Sequence, residues 1–407
     1  MSYPYQSTAP RLAICTAACV LAISCAVAVT PSHRRLQLDD KFYAEGAVFG
    51  DLNRDGSMDV VAGPFWYEGP AFQIRHEIYE PKAYDPLKYS ENFIAAVDDL
   101  DGDGWTDIVV IGFPGADASW YRNPGSVGGH WARHRAHSPV DNESAMYVDL
   151  TGDGRREIVC SSGGKYGYAV PDRMDLTRPW IFHPLSTHSN TFQRYTHGLG
   201  VGDVDGDGRN DLLEKGGWWQ QPASLVGDPI WKKHGVAFSN TSGGAQMCVT
   251  DINGDGLPDV VTSKEAHGYG LSWFEQVRGR GDDLLFKEHV ILPDKPDATF
   301  EGVQFSQLHA VVLADVNGDG INDIITGKRW WAHGPDKDPD PMGTPVVYAF
   351  IVGKGAEGTV TFSPMLIDDA SGIGTQFDAR DVNGDRRADF AISNKRGTFV
   401  LMSSAAR

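Results

Sequence analysis

Asp251, Asn253, Asp255 and Asp259 put four side-chain oxygens at positions 1, 3, 5 and 9 of a short loop, with Gly256 at position 6. Oxygen donors at this density suit Ca²⁺, which takes roughly six to eight of them, and a glycine at position 6 permits the turn that makes them converge. The loop recurs six more times. Its copies are Asp51, Asn53, Asp55 and Asp59; Asp99, Asp101, Asp103 and Asp107; Asp149, Thr151, Asp153 and Glu157; Asp203, Asp205, Asp207 and Asp211; Asp315, Asn317, Asp319 and Asp323; and Asp381, Asn383, Asp385 and Asp389. A single Asp/Gly-rich loop is as readily a hairpin turn. Seven in register predict a metal-binding repeat with up to seven Ca²⁺. The third copy departs at Thr151 and Glu157, and the last carries Arg386 where glycine is usual, so the last is the site expected to be weakest.

The net charge of −18 agrees, because 23 of the acids occupy those four positions and seven Ca²⁺ would cancel 14 of the charges. Such acidity argues against a nucleic-acid partner.

A second constellation lies just before each loop. Residues eight and six positions before the first aspartate are Tyr43 and Glu45, Glu91 and Phe93, Asp141 and Glu143, Tyr195 and His197, Gly243 and Ala245, Gln307 and His309, and Ile373 and Thr375. Several are polar, and residues two apart on a strand share a face. One lysine follows the second apolar run in each of the last five repeats: Lys165, Lys215, Lys264, Lys328 and Lys395. Arg329 to Thr344 forms a long loop holding Trp330, Trp331 and His333, and long loops within compact domains are usually functional.

These residue types fit β-elimination, which needs a base, a group to neutralise the enolate and an acid for the leaving oxygen. His197 or His309 supplies the base, Tyr195 the acid, and Lys215 or Lys328 the neutralising charge. A divalent metal held by Glu143, His197 and His309 is the alternative to the lysine. Glu45, Glu91 and Gln307, with Trp330, Trp331 and His333, are candidate ligand-binding residues; aromatic rings of this kind stack on sugars. The first reading is nevertheless a binding module for a polar, carbohydrate ligand at the channel mouth, with β-elimination by a lyase or dehydratase at the same face as its alternative and an adhesion scaffold for a cell-surface or matrix protein as another. A glycosidase, which needs two facing carboxylates, ranks third. No nucleotide loop, Ser–His–Asp arrangement or zinc signature is present.

The elements that must position these groups follow from the repeat. Each acidic loop sits between two short runs rich in Val, Ile and Leu, which predict strands. Successive loops are 48 to 66 residues apart, about one propeller blade each. The fold class is therefore all-β, a seven-bladed β-propeller spanning residues 33–402, with the acidic loops between strands A and B. Strand C is marked by Phe65-Trp66-Tyr67, Trp120-Tyr121, Trp218-Trp219 and Trp273-Phe274. Strand D carries an aromatic shortly before a histidine, as in Phe72 with His76, Trp131 with His134, Trp180 with His183, Trp231 with His234 and Phe286 with His289. A catalytic histidine is not needed five times, so these are read as structural caps between blade edges. The last repeat lacks a strand D, and Arg34 to Leu38 is expected to supply it and close the ring.

The loops resemble the FG-GAP and VCBS repeats of integrin-type propellers and of many secreted bacterial proteins, over about Phe42 to Met402. The segments QLHAVVLADVNGDGINDIITGKRWWAHGPD and GIGTQFDARDVNGDRRADFAISNKRGTFV also resemble the propeller part of aldos-2-ulose dehydratase-like proteins. That resemblance implies sugar dehydration; cupin domains accompany the propeller there, and the seven repeats leave no length for them here.

Arg11, the apolar run Leu12 to Val29 and the Ala26-Val27-Ala28 site have the layout of a secretory signal peptide over residues 1–28. A membrane anchor or lipidation at Cys25 are the alternatives. The mature chain is expected outside the cell or in the periplasm, or tethered at its start, and monomeric. Of the five cysteines only Cys160 and Cys248 lie beyond the leader, too few for a disulfide framework.

Overall fold

Every acidic loop joins two antiparallel strands, and each such pair extends outward into a four-stranded sheet. The computed structural model describes Met1 and residues 32–240, 242–279, 283–355 and 359–404. Residues 2–31, with the expected leader and Cys25, lie outside the described residues. Seven four-stranded sheets form the blades of a β-propeller. Their strands A are Val48–Gly50, Ile94–Asp98, Met146–Val148, Leu199–Gly202, Cys248–Thr250, Val311–Ala314 and Phe377–Arg380. Among the described residues no helix is long and apolar enough to cross a membrane.

The ring closes through the N-terminus. Ser32–Asp39 pairs antiparallel with Gly397–Ser404, setting Arg34 opposite Met402 and Leu36 opposite Val400, and so becomes the outer strand of blade 7. Its side-chain contacts knit the same seam: Arg35 Nη1 lies 2.6 Å from Asp368 of blade 6.

The core is divided between the blade interfaces. Each of the seven buried apolar clusters joins two neighbouring blades. Strand B explains why. Val60 packs toward blade 7 while Val61 packs toward blade 2, and in strand C Trp219 and Trp218 likewise face opposite neighbours. A strand covered on both faces reads as a continuous apolar run, which is how Asp59–Ala62, Asp107–Ile111 and Asp323–Gly327 appear in sequence. The buried cysteine Cys160 lies in one such run and Cys248 starts another strand; both are free.

The five outer-strand histidines are structural, but in a different place from that expected. Each stacks within its own blade on the ring opposite it in strand C: His76 on Trp66 at 3.9 Å, His134 on Trp120 at 4.7 Å, His183 on Tyr168 at 5.2 Å, His234 on Trp218 at 4.1 Å and His289 on Trp273 at 4.4 Å. They are cross-strand pairs and not caps between blade edges.

The ninth loop position has a second task. Asp59, Asp107, Asp211, Asp259, Asp323 and Asp389 are buried at the start of strand B. In each, one carboxylate oxygen accepts the N–H of the second loop residue and the other an N–H at the far end of strand C. For Asp259 the donors are Ile252 at 3.1 Å and Gln276 at 2.8 Å; for Asp211 they are Val204 at 3.0 Å and Gln221 at 2.8 Å. The carboxylate thus staples its loop to strand C. Glu157 is longer and bonds only its own loop, through Leu150 N–H at 2.9 Å and Thr151. Burial pushes these carboxyls up, Asp107 and Asp211 to about 7 and Asp59 to about 6, against the pull of the same backbone bonds.

Candidate functional site

On the face opposite the acidic loops, segments leading into the strands A and the B–C loops meet around a cavity of about 570 Å³. Its floor holds Glu143, ahead of strand A of blade 3, and His197, ahead of strand A of blade 4. His267 comes from the B–C loop of blade 5 and His333 from that of blade 6. Tyr89, Phe113 and Tyr195 form an aromatic wall: Tyr89 stacks on Phe113 at 4.8 Å, and Phe113 meets Tyr195 at 5.7 Å. Arg194 and Lys215 bring the cationic groups.

Three imidazoles converge at the floor. The rings of His197, His267 and His309 lie 4.6 to 5.5 Å apart and nearly perpendicular to one another. One ligand nitrogen from each falls within 4.8 Å of the others. His309 Nδ1 lies 3.2 Å from the Gln307 carbonyl, and donation there leaves Nε2 as a lone pair aimed into the cluster. That Nε2, both ring nitrogens of His197 and Nδ1 of His267 are buried without a hydrogen-bond partner. Glu143 Oε2 stands 3.2 Å from His197 Nε2, at ion-pair distance but outside hydrogen-bond alignment. Buried polar atoms are rarely left unpaired. Three imidazoles that can each offer a nitrogen to one point, with His197 and His309 leaving nitrogens unbonded and Glu143 beside them, have the donor chemistry of a divalent transition-metal site.

Burial disfavours the charged form of two of the three imidazoles, His309 and His267, and the neutral form is the one that binds a metal. Burial lowers His309 well below the usual histidine range, and the Arg329 charge adds to this. Burial lowers His267 as well. Burial would raise Glu143, but the charges of His197 and Arg329 outweigh it and hold the carboxyl at about 2.

Arg329 is fully buried and crosses the channel to ion-pair with Glu45 and with Glu143, the latter at 3.5 Å. Beyond it, the long loop of the sixth repeat returns to the site. Asp338 accepts the His333 backbone N–H and pairs with His333 Nδ1, both at 2.8 Å, and stands 3.5 Å from His267 Nδ1. The His333 ring is half exposed and stacks on His267 at 4.4 Å.

The structure therefore brings together His197, His309, Glu143, Tyr195, Lys215 and His333 of the residues singled out from sequence. It separates others. Glu45 is committed to Arg329. Gln307, at φ 64°, is buried and accepts the Ala332 N–H at 2.9 Å, so it holds the loop. Lys328 is buried away from the cavity, its Nζ 2.6 Å from Ser306 Oγ, and burial lowers it to about 8. Glu91 opens on another cavity of about 400 Å³ between blades 1 and 2. Trp330 packs under Arg396 at 4.9 Å and beside Trp331 at 5.0 Å; neither ring lines the cavity. His267, Arg329 and Asp338 were not legible as site residues. All three lie in B–C loops past the lysine, the one position there that recurs between repeats; the direct succession of Arg329 on Lys328 was the one available signal.

In the acidic loops the first aspartate accepts backbone N–H groups of its own turn, as Asp251 does from Gly254 at 2.7 Å and Gly256 at 2.8 Å. Arg386 adopts φ 68°, and its N–H reaches Asp381 at 2.8 Å as a glycine's would. Carboxylate oxygens of Asp99, Asp101 and Asp107, of Asp149, Asp153 and Glu157, and of Asp203, Asp205 and Asp211 lie within 4.8 Å of one another in each set. Clustered hard oxygens of this kind fit Ca²⁺.

No curated protein matches the chain. Among solved structures, an auxiliary nutrient binding protein from Bacteroides ovatus is similar at 10% identity and TM-score 0.46, over 92% of this chain and 77% of that one. The rhamnogalacturonan lyase YesW is similar at 12% identity and TM-score 0.45, over 92% and 76%. Residues 99–160, the second acidic loop through strand B of blade 3, match the FG-GAP-like repeat family. The chain is a seven-bladed β-propeller, and the matched segment, running from one acidic loop past the next, is one FG-GAP-like repeat within it.

Proposed function

We propose that this is a secreted, calcium-stabilised propeller whose channel mouth is a metal-dependent lyase or dehydratase centre for a polyhydroxylated, carbohydrate substrate. The observation that carries the reading is the convergence of His197, His267 and His309, the first two of which line an open cavity. These three, with Glu143, would hold a divalent metal. When bound, it supplies Lewis-acid stabilisation of the oxyanion that forms as a proton leaves the carbon beside a carbonyl or carboxylate.

The remaining work falls to side chains. With His197 and His309 committed as ligands, neither is the base expected from sequence. That role passes to His333. Asp338 holds Nδ1–H, which leaves Nε2 as the proton acceptor at the cavity, the orienting logic of carboxylate–histidine pairs. Tyr195 stands in the cavity wall as the candidate acid, and Lys215 takes the place proposed for either lysine. Arg329 fixes Glu143 from behind. The seven acidic loops would bind Ca²⁺ on the opposite face and stiffen the A–B turns.

The test is metal content and product together. Protein purified without chelator should hold about one transition metal per chain, lost in His267→Ala and His309→Ala. On keto-sugars and uronate-containing polysaccharides it should give an unsaturated product absorbing in the ultraviolet, abolished by His333→Gln with metal retained. A second reading, binding without catalysis, is favoured by the aromatic wall of Tyr89, Phe113 and Tyr195. Retention of a sugar with no product from the metal-loaded protein would select it.

A further inference from the structure

In a chain of net charge −18, the cavity is lined, among the described residues, by one acid, Glu143, which stands at ion-pair distance from Arg329 and His197. The two other formally charged side chains that line it, Arg194 and Lys215, are cations. Arg194 is seated. Its guanidinium lies against Gly115 in the B–C turn of blade 2, so closely that a Cβ there would come 2.1 to 2.2 Å from Nε, Cζ and Nη2. Gly115 also sits at φ 87°. Arg194 thus reaches from the connection before blade 4 across to blade 2, over the aromatic wall. Lys215 comes from the B–C turn of blade 4, where its backbone N and Cβ lie against Gly198, the residue after His197. The next residue after Arg194, Tyr195, holds φ 70°, rarely adopted by a bulky residue, with its ring toward Phe113.

We propose that Arg194 and Lys215 form a carboxylate clamp and that the substrate is a uronate, a sugar whose ring stacks on the aromatic wall while its carboxylate meets these two cations. The inference rests on the cavity being the ligand site argued above and names its substrate class. Arginine presents a planar fork that fits a carboxylate bidentately. The class also suits the chemistry. The base takes the proton from the carbon bearing the carboxylate, and that C–H pair becomes the new C=C bond. The C–O bond one carbon further on breaks with its pair going to oxygen, and the acid's proton completes the leaving hydroxyl. Nothing is oxidised or reduced overall, and a neutralised carboxylate makes the first proton transfer easier.

The experiment measures affinity for oligogalacturonate, its methyl ester and a sulfated neutral oligosaccharide, with wild type, Arg194→Met, Lys215→Met and the double variant. Metal content is measured on each. Wild type should prefer the acid to the ester by about tenfold or more, as expected for charge-assisted hydrogen bonds. The preference should shrink with added salt and vanish in the double variant, whose metal content stays at wild-type level. Equal affinity for acid and ester, no binding of either, or a preference that survives the double substitution overturns the clamp. Tighter binding of the sulfated probe overturns the carboxylate assignment. A protein that prefers the acid but holds no metal sinks the metal centre and leaves the clamp standing.

Discussion

Replacing Asp259 by alanine separates two jobs that the acidic loop performs. Asp259 is buried, and its two oxygens take the N–H groups of Ile252 and Gln276 at 3.1 and 2.8 Å. Alanine leaves both donors without an acceptor, each at a cost of about 1–3 kcal/mol, so the loss is about 2–6 kcal/mol. At roughly 2 °C per kcal/mol for a domain of this size, the melting temperature should fall by roughly 4–12 °C. Asp251 differs. It is exposed, and the N–H groups it accepts can turn to water. Its alanine variant should cost little in EDTA. In Ca²⁺ it should forfeit the stabilisation of one bound ion, about 2.7 kcal/mol at a hundredfold excess over the dissociation constant. The assay is thermal unfolding of wild type and both variants, each in EDTA and in Ca²⁺. Asp259→Ala should be destabilised in both conditions, Asp251→Ala only in Ca²⁺. If Asp259→Ala unfolds like wild type in EDTA, the staple argument is wrong. If Asp251→Ala and wild type respond alike to Ca²⁺, the loop does not bind it.

Other expectations follow from single contacts. Arg386→Gly should raise stability by about 1 kcal/mol, read by denaturant unfolding, because the left-handed backbone at φ 68° suits glycine. Asp385→Ala, in the same loop, should lower the Ca²⁺-dependent stability less than Asp251→Ala does. Arg329→Met should cost about 3–5 kcal/mol by stranding Glu45 in the interior, and adding Glu45→Gln should recover part of it in a double-mutant cycle. His289→Ala should cost about 0.5–1.5 kcal/mol through the lost stack on Trp273 while metal content, measured by elemental analysis, stays unchanged.

The blade number, the strand order and the closing strand were legible because they depend on local signals that repeat. An acidic turn between two apolar runs specifies its own hairpin, and seven copies specify the ring. Even the missing last strand was visible, since one outer strand had no partner segment at the C-terminus and one spare stretch preceded the first blade. His197, His309 and Glu143 were legible for the same reason: they hold a fixed offset from the loop aspartates. The roles within the site were not. Whether an imidazole is a base or a ligand depends on what faces its nitrogens, and those partners come from other blades. Arg329 is buried because Glu45, more than 280 positions earlier in the chain, and Glu143 both meet its guanidinium. His267 and Asp338 reach the cluster from loops whose length and path vary between repeats, so no register announces them. Trp330 and Trp331 turn away from the cavity because Arg396 of the next blade covers Trp330. A repeat dictates the scaffold through neighbours in sequence; the site is made where unlike residues of seven repeats meet, and only the closed ring decides which of them do.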